Sequence, residues 1–269
     1  MNNILRNSSL IALVAIALIG CRKDEANADL TAAQNEAFFH STEKAYQNEI
    51  DAITLKSASQ SNLCNPLQWL PECVEVTDTG ADTYPRTIVL DFGDGCTGPG
   101  GVERAGAINI EVSGPMNEAG SVRTVTFENF SVNGNALEGT RTTTSNGSNA
   151  NGQPQFTRVV DMAIERNIGT FQRSFTQNVT WISGFDTEPC GDNVFEVSGN
   201  GTVTRPNGTT ISRTIIEPLT IDRVCGYVTA GVVVVDAPMG ERTIDFGDGA
   251  CDDDATVTID GETYEIDLD

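Results

Sequence analysis

The 269-residue chain holds 38 acidic against 16 basic residues, a formal charge of −22. That balance excludes nucleic acid as an expected partner, because there is no cationic excess to release phosphate counterions, and it opposes adsorption to anionic lipid headgroups. The length suffices for one large β core or two small ones.

The first element is a leader over residues 1–20. Arg6 gives a positive start, and Leu10 to Ile19 is an apolar run shorter than a bilayer-spanning helix needs. It ends in Leu18-Ile19-Gly20-Cys21. This ending resembles the lipobox of bacterial lipoproteins. The resemblance implies cleavage before Cys21, diacylglycerol on its thiol and a further acyl chain (palmitate, for example) on the new amino group. At about 0.8 kcal/mol per buried methylene, several such chains make outer-membrane lipid a durable partner. Residues 21–30 then form a polar, lipidated tether. Within it, Lys23-Asp24-Glu25 resembles the surface-export signal of Bacteroidota lipoproteins. It implies display on the outer face of the outer membrane, with a periplasm-facing anchor as the alternative.

Residues 31–62 hold one amphipathic helix and a linker. Thr31 and Gln34 suit a capping box. Phe38, Ala45, Tyr46, Ile50 and Ile53 recur at helical spacing as far as Leu55, a stripe expected to pack on the β domain. His40, the single histidine, is expected at the helix surface. Ser57 to Asn62 is polar linker.

A disulfide-bonded β domain is expected over residues 63–269. Runs of Val, Ile, Thr and Phe with period two predict strands at Thr87–Phe92, Ala105–Ser113, Val122–Phe127, Ala136–Thr144, Phe156–Glu165 and Thr170–Ile182. They continue at Val194–Thr204, Thr209–Ile216, Tyr227–Val235, Arg242–Phe246, Ala255–Ile259 and Thr263–Leu268. Asn133-Gly134, Asn146-Gly147, Asn207-Gly208 and Asp260-Gly261 supply positive φ for tight hairpins. The result is a mainly β, antiparallel hairpin meander that forms a large curled sheet or a sandwich. Asn200-Gly201 suggests a bulge. Ser145 to Gln155 reads as a loop, and Val232 to Val235 as a strand buried on both faces.

One sequence occurs twice: Arg86-Thr87-Ile88-Val89-Leu90-Asp91-Phe92-Gly93-Asp94-Gly95-Cys96 and Arg242-Thr243-Ile244-Asp245-Phe246-Gly247-Asp248-Gly249-Ala250-Cys251. Each copy has an upstream cysteine, Cys73 or Cys225. Six cysteines remain after Cys21, an even number that suits an oxidising compartment. The repeat argues for Cys73–Cys96 and Cys225–Cys251, and elimination leaves Cys64–Cys190. Asp94 and Asp248 are expected to bond backbone amides as in Asx-turns, with Gly95 and Gly249 in the left-handed region. Phe-Gly-Asp-Gly resembles part of the signature of PKD-type immunoglobulin-like domains, which implies a shared turn. Over a longer stretch the repeated words, Phe127 to Gly134 and Leu137-Glu138-Gly139-Thr140-Arg141, resemble β-rich lipoproteins of flavobacteria. That resemblance agrees with the anchor and implies no activity.

No resident cofactor is expected. Calcium is the sharpest alternative, because Asp245, Asp248, Asp252, Asp253 and Asp254 gather hard oxygen ligands in ten residues. The spacing is not that of an EF-hand, and the first copy lacks the acid run. Catalytic signatures are missing: there is no Gly-x-Ser-x-Gly elbow and no phosphate loop. From Arg86 onward every cation is arginine, expected to pair with carboxylates across strands on a solvated face. Trp69, Trp181 and Phe185 are the aromatics available for stacking sugars. The function expected is therefore that of a non-enzymatic, lipid-anchored envelope protein, a surface-exposed binding or structural module for an unidentified envelope protein or glycan. The alternative is a glycan-binding or glycan-hydrolysing lipoprotein that uses carboxylates on a sheet face.

Overall fold

The computed structural model describes residues 70–80, 83–98, 101–186, 192–225, 227–238 and 240–268. Cys21, the Lys23-Asp24-Glu25 tether, the helix expected from Thr31 to Leu55, Cys64, Trp69 and Cys190 lie outside them.

The described chain is one antiparallel sheet. Its strands are β1 (Glu75–Asp78), β2 (Arg86–Asp91), β3 (Cys96–Thr97), β4 (Glu103–Val112), β5 (Val122–Val132), β6 (Asn135–Ser148) and β7 (Pro154–Arg166). They continue as β8 (Gly169–Ser183), β9 (Val194–Thr204), β10 (Thr210–Asp222), β11 (Val228–Ala237), β12 (Gly240–Asp248), β13 (Asp254–Ile259) and β14 (Glu262–Asp267). Each strand pairs with its sequence neighbours from β4 onward; before it the order is β1-β2-β4, and β3 pairs with β4 beyond the end of β2. The sheet does not close, since β1 and β14 remain as edges.

Alternation along each strand sends one set of side chains to a common inner face. Ile88 on β2, Ile108 and Ile110 on β4, Leu137 on β6 and Val233 on β11 are buried there in a single core cluster. The thirteen strands that lie side by side would span roughly 60 Å if laid flat at about 4.8 Å each, so burying one whole face calls for curvature. Bulges supply it by increasing local twist. The register of β4 on β5 shifts between Ala105 and Ala107, where Gly106 (φ 78°) lies against Asn129 (φ 48°). A Cβ on Gly106 would stand 2.2 Å from the Asn129 carbonyl oxygen, so only glycine fits. A second irregularity on β10 lies between Ile215 and Leu219.

The turn chemistry is partly as expected. Asn133-Gly134 and Asp260-Gly261 both take positive φ and close the β5–β6 and β13–β14 hairpins. Gly208 takes positive φ in the β9–β10 turn and its amide donates to the Arg205 carbonyl at 2.9 Å. Asn146-Gly147 does not turn the chain: it lies inside β6, where a bulge separates Ser145 from Gly147, and the turn comes at Asn149 to Gln153. The segment from Ser145 to Ser148 is thus strand rather than loop. Asn200-Gly201 holds unbroken register with β8. Gly201 is there because a Cβ would meet the Phe175 ring at 2.4 Å. Val232 to Val235 alternates between half-buried and buried, so only one face of β11 is sealed.

Candidate functional site: an arginine-lined inner face

The repeated words build two matching corners. Cys73, just before β1, is bonded to Cys96, which follows β2. Cys225, just before β11, is bonded to Cys251, which follows β12. As β1–β2 and β11–β12 are antiparallel pairs, each bridge ties the open mouth of a two-stranded ribbon. The aspartate that turns the chain is the first of the motif, not the second as the sequence suggests. Asp91 Oδ1 accepts from the Gly93 amide at 2.8 Å, and Asp245 Oδ1 from the Gly247 amide at 2.9 Å. The left-handed residues are correspondingly Gly93 and Gly247; Gly249 also has positive φ, whereas Gly95 does not. A carboxylate two residues ahead of a left-handed glycine captures its amide directly.

Asp245, Asp248, Asp252 and Asp254 are exposed and Asp253 is half-buried. Among the described residues no group of three or more His, Cys, Asp or Glu is arranged to hold a metal ion.

The arginines are where the structure departs furthest from expectation. Arg86, Arg104, Arg123, Arg141, Arg173 and Arg242 are all buried, while no aspartate or glutamate among the described residues is. They are not on a solvated face. The pairing register sets Arg86 and Arg123 beside Val112, Arg104 beside Val132, and Arg141 between Val125 and Val160, all core residues. Arg158 and Arg213, half-buried, share this parity. Acids such as Glu111, Glu128, Glu138, Asp161, Glu196 and Asp236 are exposed.

Several of these guanidinium groups find local partners. Arg86 makes a two-point ion pair with Asp78, Nε to Oδ1 at 2.9 Å and Nη2 to Oδ2. Arg104 Nη1 donates to the Val102 carbonyl at 3.1 Å, and Arg242 Nη1 to the Gly240 carbonyl at 3.2 Å. Arg173 and Arg213 both approach the Phe175 ring, at 4.9 and 5.9 Å from its centroid, a cation–π arrangement that strengthens away from water. Arg141 differs. It is 1% exposed, and its Nε, Nη1 and Nη2 have no hydrogen-bond partner. Thr143, two residues along β6 on the same face and also buried, has an unpartnered Oγ1.

At one end of β8, Trp181 stacks on Phe195 at 5.5 Å and meets Phe185 edge-on at 6.3 Å, with Arg223 over Phe195 at 5.3 Å. The three aromatics are half-buried, and Phe195 also packs against the core.

Sequence reasoning passed over Arg141 and Thr143 as site residues; the signal that was present marks other arginines of the same face, since Arg141 is followed two places on by Thr143. Arg86-x-Ile88, Arg123-x-Val125, Arg158-x-Val160, Arg173-x-Phe175, Arg213-x-Ile215 and Arg242-x-Ile244 all put arginine in phase with the apolar side of its strand. No protein-family model, no curated protein and no solved structure matches the chain.

Proposed function

We infer that this chain is a non-enzymatic binding module of the bacterial outer envelope, tethered by lipid on Cys21, whose working surface is the inner face of the sheet. The observation that carries the reading is the sorting of charge: six arginines buried on a face where no carboxylate is buried, among the described residues. Arginine stays protonated in proteins and presents five donors, so such a face suits holding an oxyanion rather than shuttling protons. The two bonded corners, Cys73–Cys96 and Cys225–Cys251, accord with an oxidising compartment. Leu18-Ile19-Gly20-Cys21 supports the anchor, and Lys23-Asp24-Glu25 supports display on the cell surface.

The anchor is tested by expressing the chain in a Bacteroidota host fed an alkyne-tagged palmitate. The natural chain takes the label and protease added to intact cells removes the β domain. Cys21→Ser takes no label and keeps its leader, and alanines at Lys23, Asp24 and Glu25 reduce shaving while leaving the label in place. Labelling of Cys21→Ser equal to the natural chain overturns the anchor; shaving unchanged by the alanines overturns surface display through that segment.

A further inference from the structure

The inner side of β6 carries Leu137, Gly139, Arg141, Thr143 and Ser145 in order, because alternate residues of a strand share a face. Register puts Val125 of β5 and Val160 of β7 on either side of Arg141. One step along, Arg123 and Arg158 flank Thr143 in the same way. Arg123 and Arg158 have partners of their own, but Arg141 and the Thr143 hydroxyl have none.

This is an unusual arrangement to leave unsatisfied. A guanidinium cannot escape burial by losing its proton. A buried unpaired charge costs several kcal/mol, and the low local dielectric that raises this cost also strengthens any pair that forms. The residues in register with Arg141 and Thr143 are apolar or cationic, so β5 and β7 offer no counter-charge there.

We propose that Arg141 and Thr143 form the head-group site for a carboxylate carried on an apolar body. Two carboxylate oxygens match the planar fork of a guanidinium, and the Thr143 hydroxyl adds a third donor. A phosphate dianion would bring a second negative charge that the single unpartnered guanidinium does not neutralise, beside the apolar Val125 and Val160. The flanking Val125 and Val160, with Leu137 along the strand, favour an alkyl chain over a polar one. This inference rests on the reading of the inner face as the binding surface.

The test uses the full processed protein and follows its thermal unfolding midpoint in decanoate, acetate and inorganic phosphate at matched ionic strength. Decanoate, below its micellar range, raises the midpoint with the logarithmic concentration dependence of a single site. Acetate does so at higher concentration and phosphate does not. Arg141→Met melts above the natural chain when no anion is added, because an unpaired buried charge has gone, and it does not respond to decanoate. Thr143→Val retains the response with an affinity weaker by about tenfold; because it keeps Arg141, it decides the matter should the methionine variant fail to fold. Equal responses of the natural chain and Arg141→Met to decanoate overturn the site while leaving the face as a binding surface. A response to phosphate alone overturns the carboxylate assignment. No response of the natural chain to any of the three overturns the site, whereas the anchor stands or falls separately on the Cys21 label.

Discussion

An aspartate earns its position by what its oxygens reach, and the two motif copies show this at two places in one chain. Asp91 and Asp245 each bond the amide of the glycine two residues on, and that glycine takes positive φ. The expected result is that Asp91→Ala, measured by urea unfolding, costs about 1 kcal/mol, the net worth of a local hydrogen bond. Asp94→Ala, at an exposed side chain, changes stability by less than about 0.5 kcal/mol. Equal costs would mean that the second aspartate also holds the turn. The sequence singles out the right five residues but not which aspartate acts, because either spacing satisfies the general rule for Asx-turns. The choice is made by where β2 ends: its pairing with β4 runs through Asp91, which leaves the first aspartate at the point of departure. The arginine parity is hard to read for a different reason. Burial of a charged residue is unusual enough that the general preference of arginine for solvent outweighs its phase with Ile88, Val125 or Val160.

Element formation is the more legible level. Period-two runs and Asn-Gly or Asp-Gly pairs mark every strand except β1 and β3. β1 is exposed at all four of its residues, so it offers no alternation to read, and β3 is two residues long and depends on pairing with Arg104 and Glu103 of β4. Both strands matter because the Cys73–Cys96 bridge ties the chain just before β1 to the first residue of β3. Both bridges close comparable loops, at separations of 23 and 26 residues. Chain-entropy reasoning assigns each about 3–4 kcal/mol, by restricting the unfolded chain. Cys73→Ala with Cys96→Ala, and Cys225→Ala with Cys251→Ala, are therefore expected to lower the unreduced protein's stability in guanidinium by about that amount each. The first bridge sits near one edge of the sheet and the second near the other, so the two losses should add in the fourfold variant. A combined loss well below the sum would show that the corners communicate through the sheet.

At the scale of the whole molecule the decisive property is the segregation of sign. Among the described residues, acids such as Glu111, Glu138 and Asp161 are exposed on the outer face, and Glu262, Glu265 and Asp267 lie along β14, where like charge discourages edge-to-edge pairing with another copy. The inner face carries arginine. A chain with formal charge −22 gathers repulsion on the side water can screen, whereas attractions such as Arg86–Asp78, with Arg86 buried, are screened less. Raising sodium chloride from about 0.02 to about 0.3 M, which shortens the screening length roughly fourfold, should therefore raise the urea midpoint. Chloride is itself an anion, so the same titration on Arg141→Met separates the causes. If outer-face repulsion governs, both proteins gain alike; a gain confined to the natural chain would place the effect at the buried guanidinium. A fall in the midpoint with salt would reverse the argument, since it would mean that exposed cross-strand ion pairs, and not the buried face, hold the curled sheet together. Composition alone cannot distinguish these cases, because the same 38 acids and 16 bases interleaved on one face would stabilise the sheet at low salt. The difference arises only once strand parity has separated the buried arginines from acids such as Glu111, Glu138 and Asp161; Asp78, in register with Ile88, stays on the inner side as the partner of Arg86.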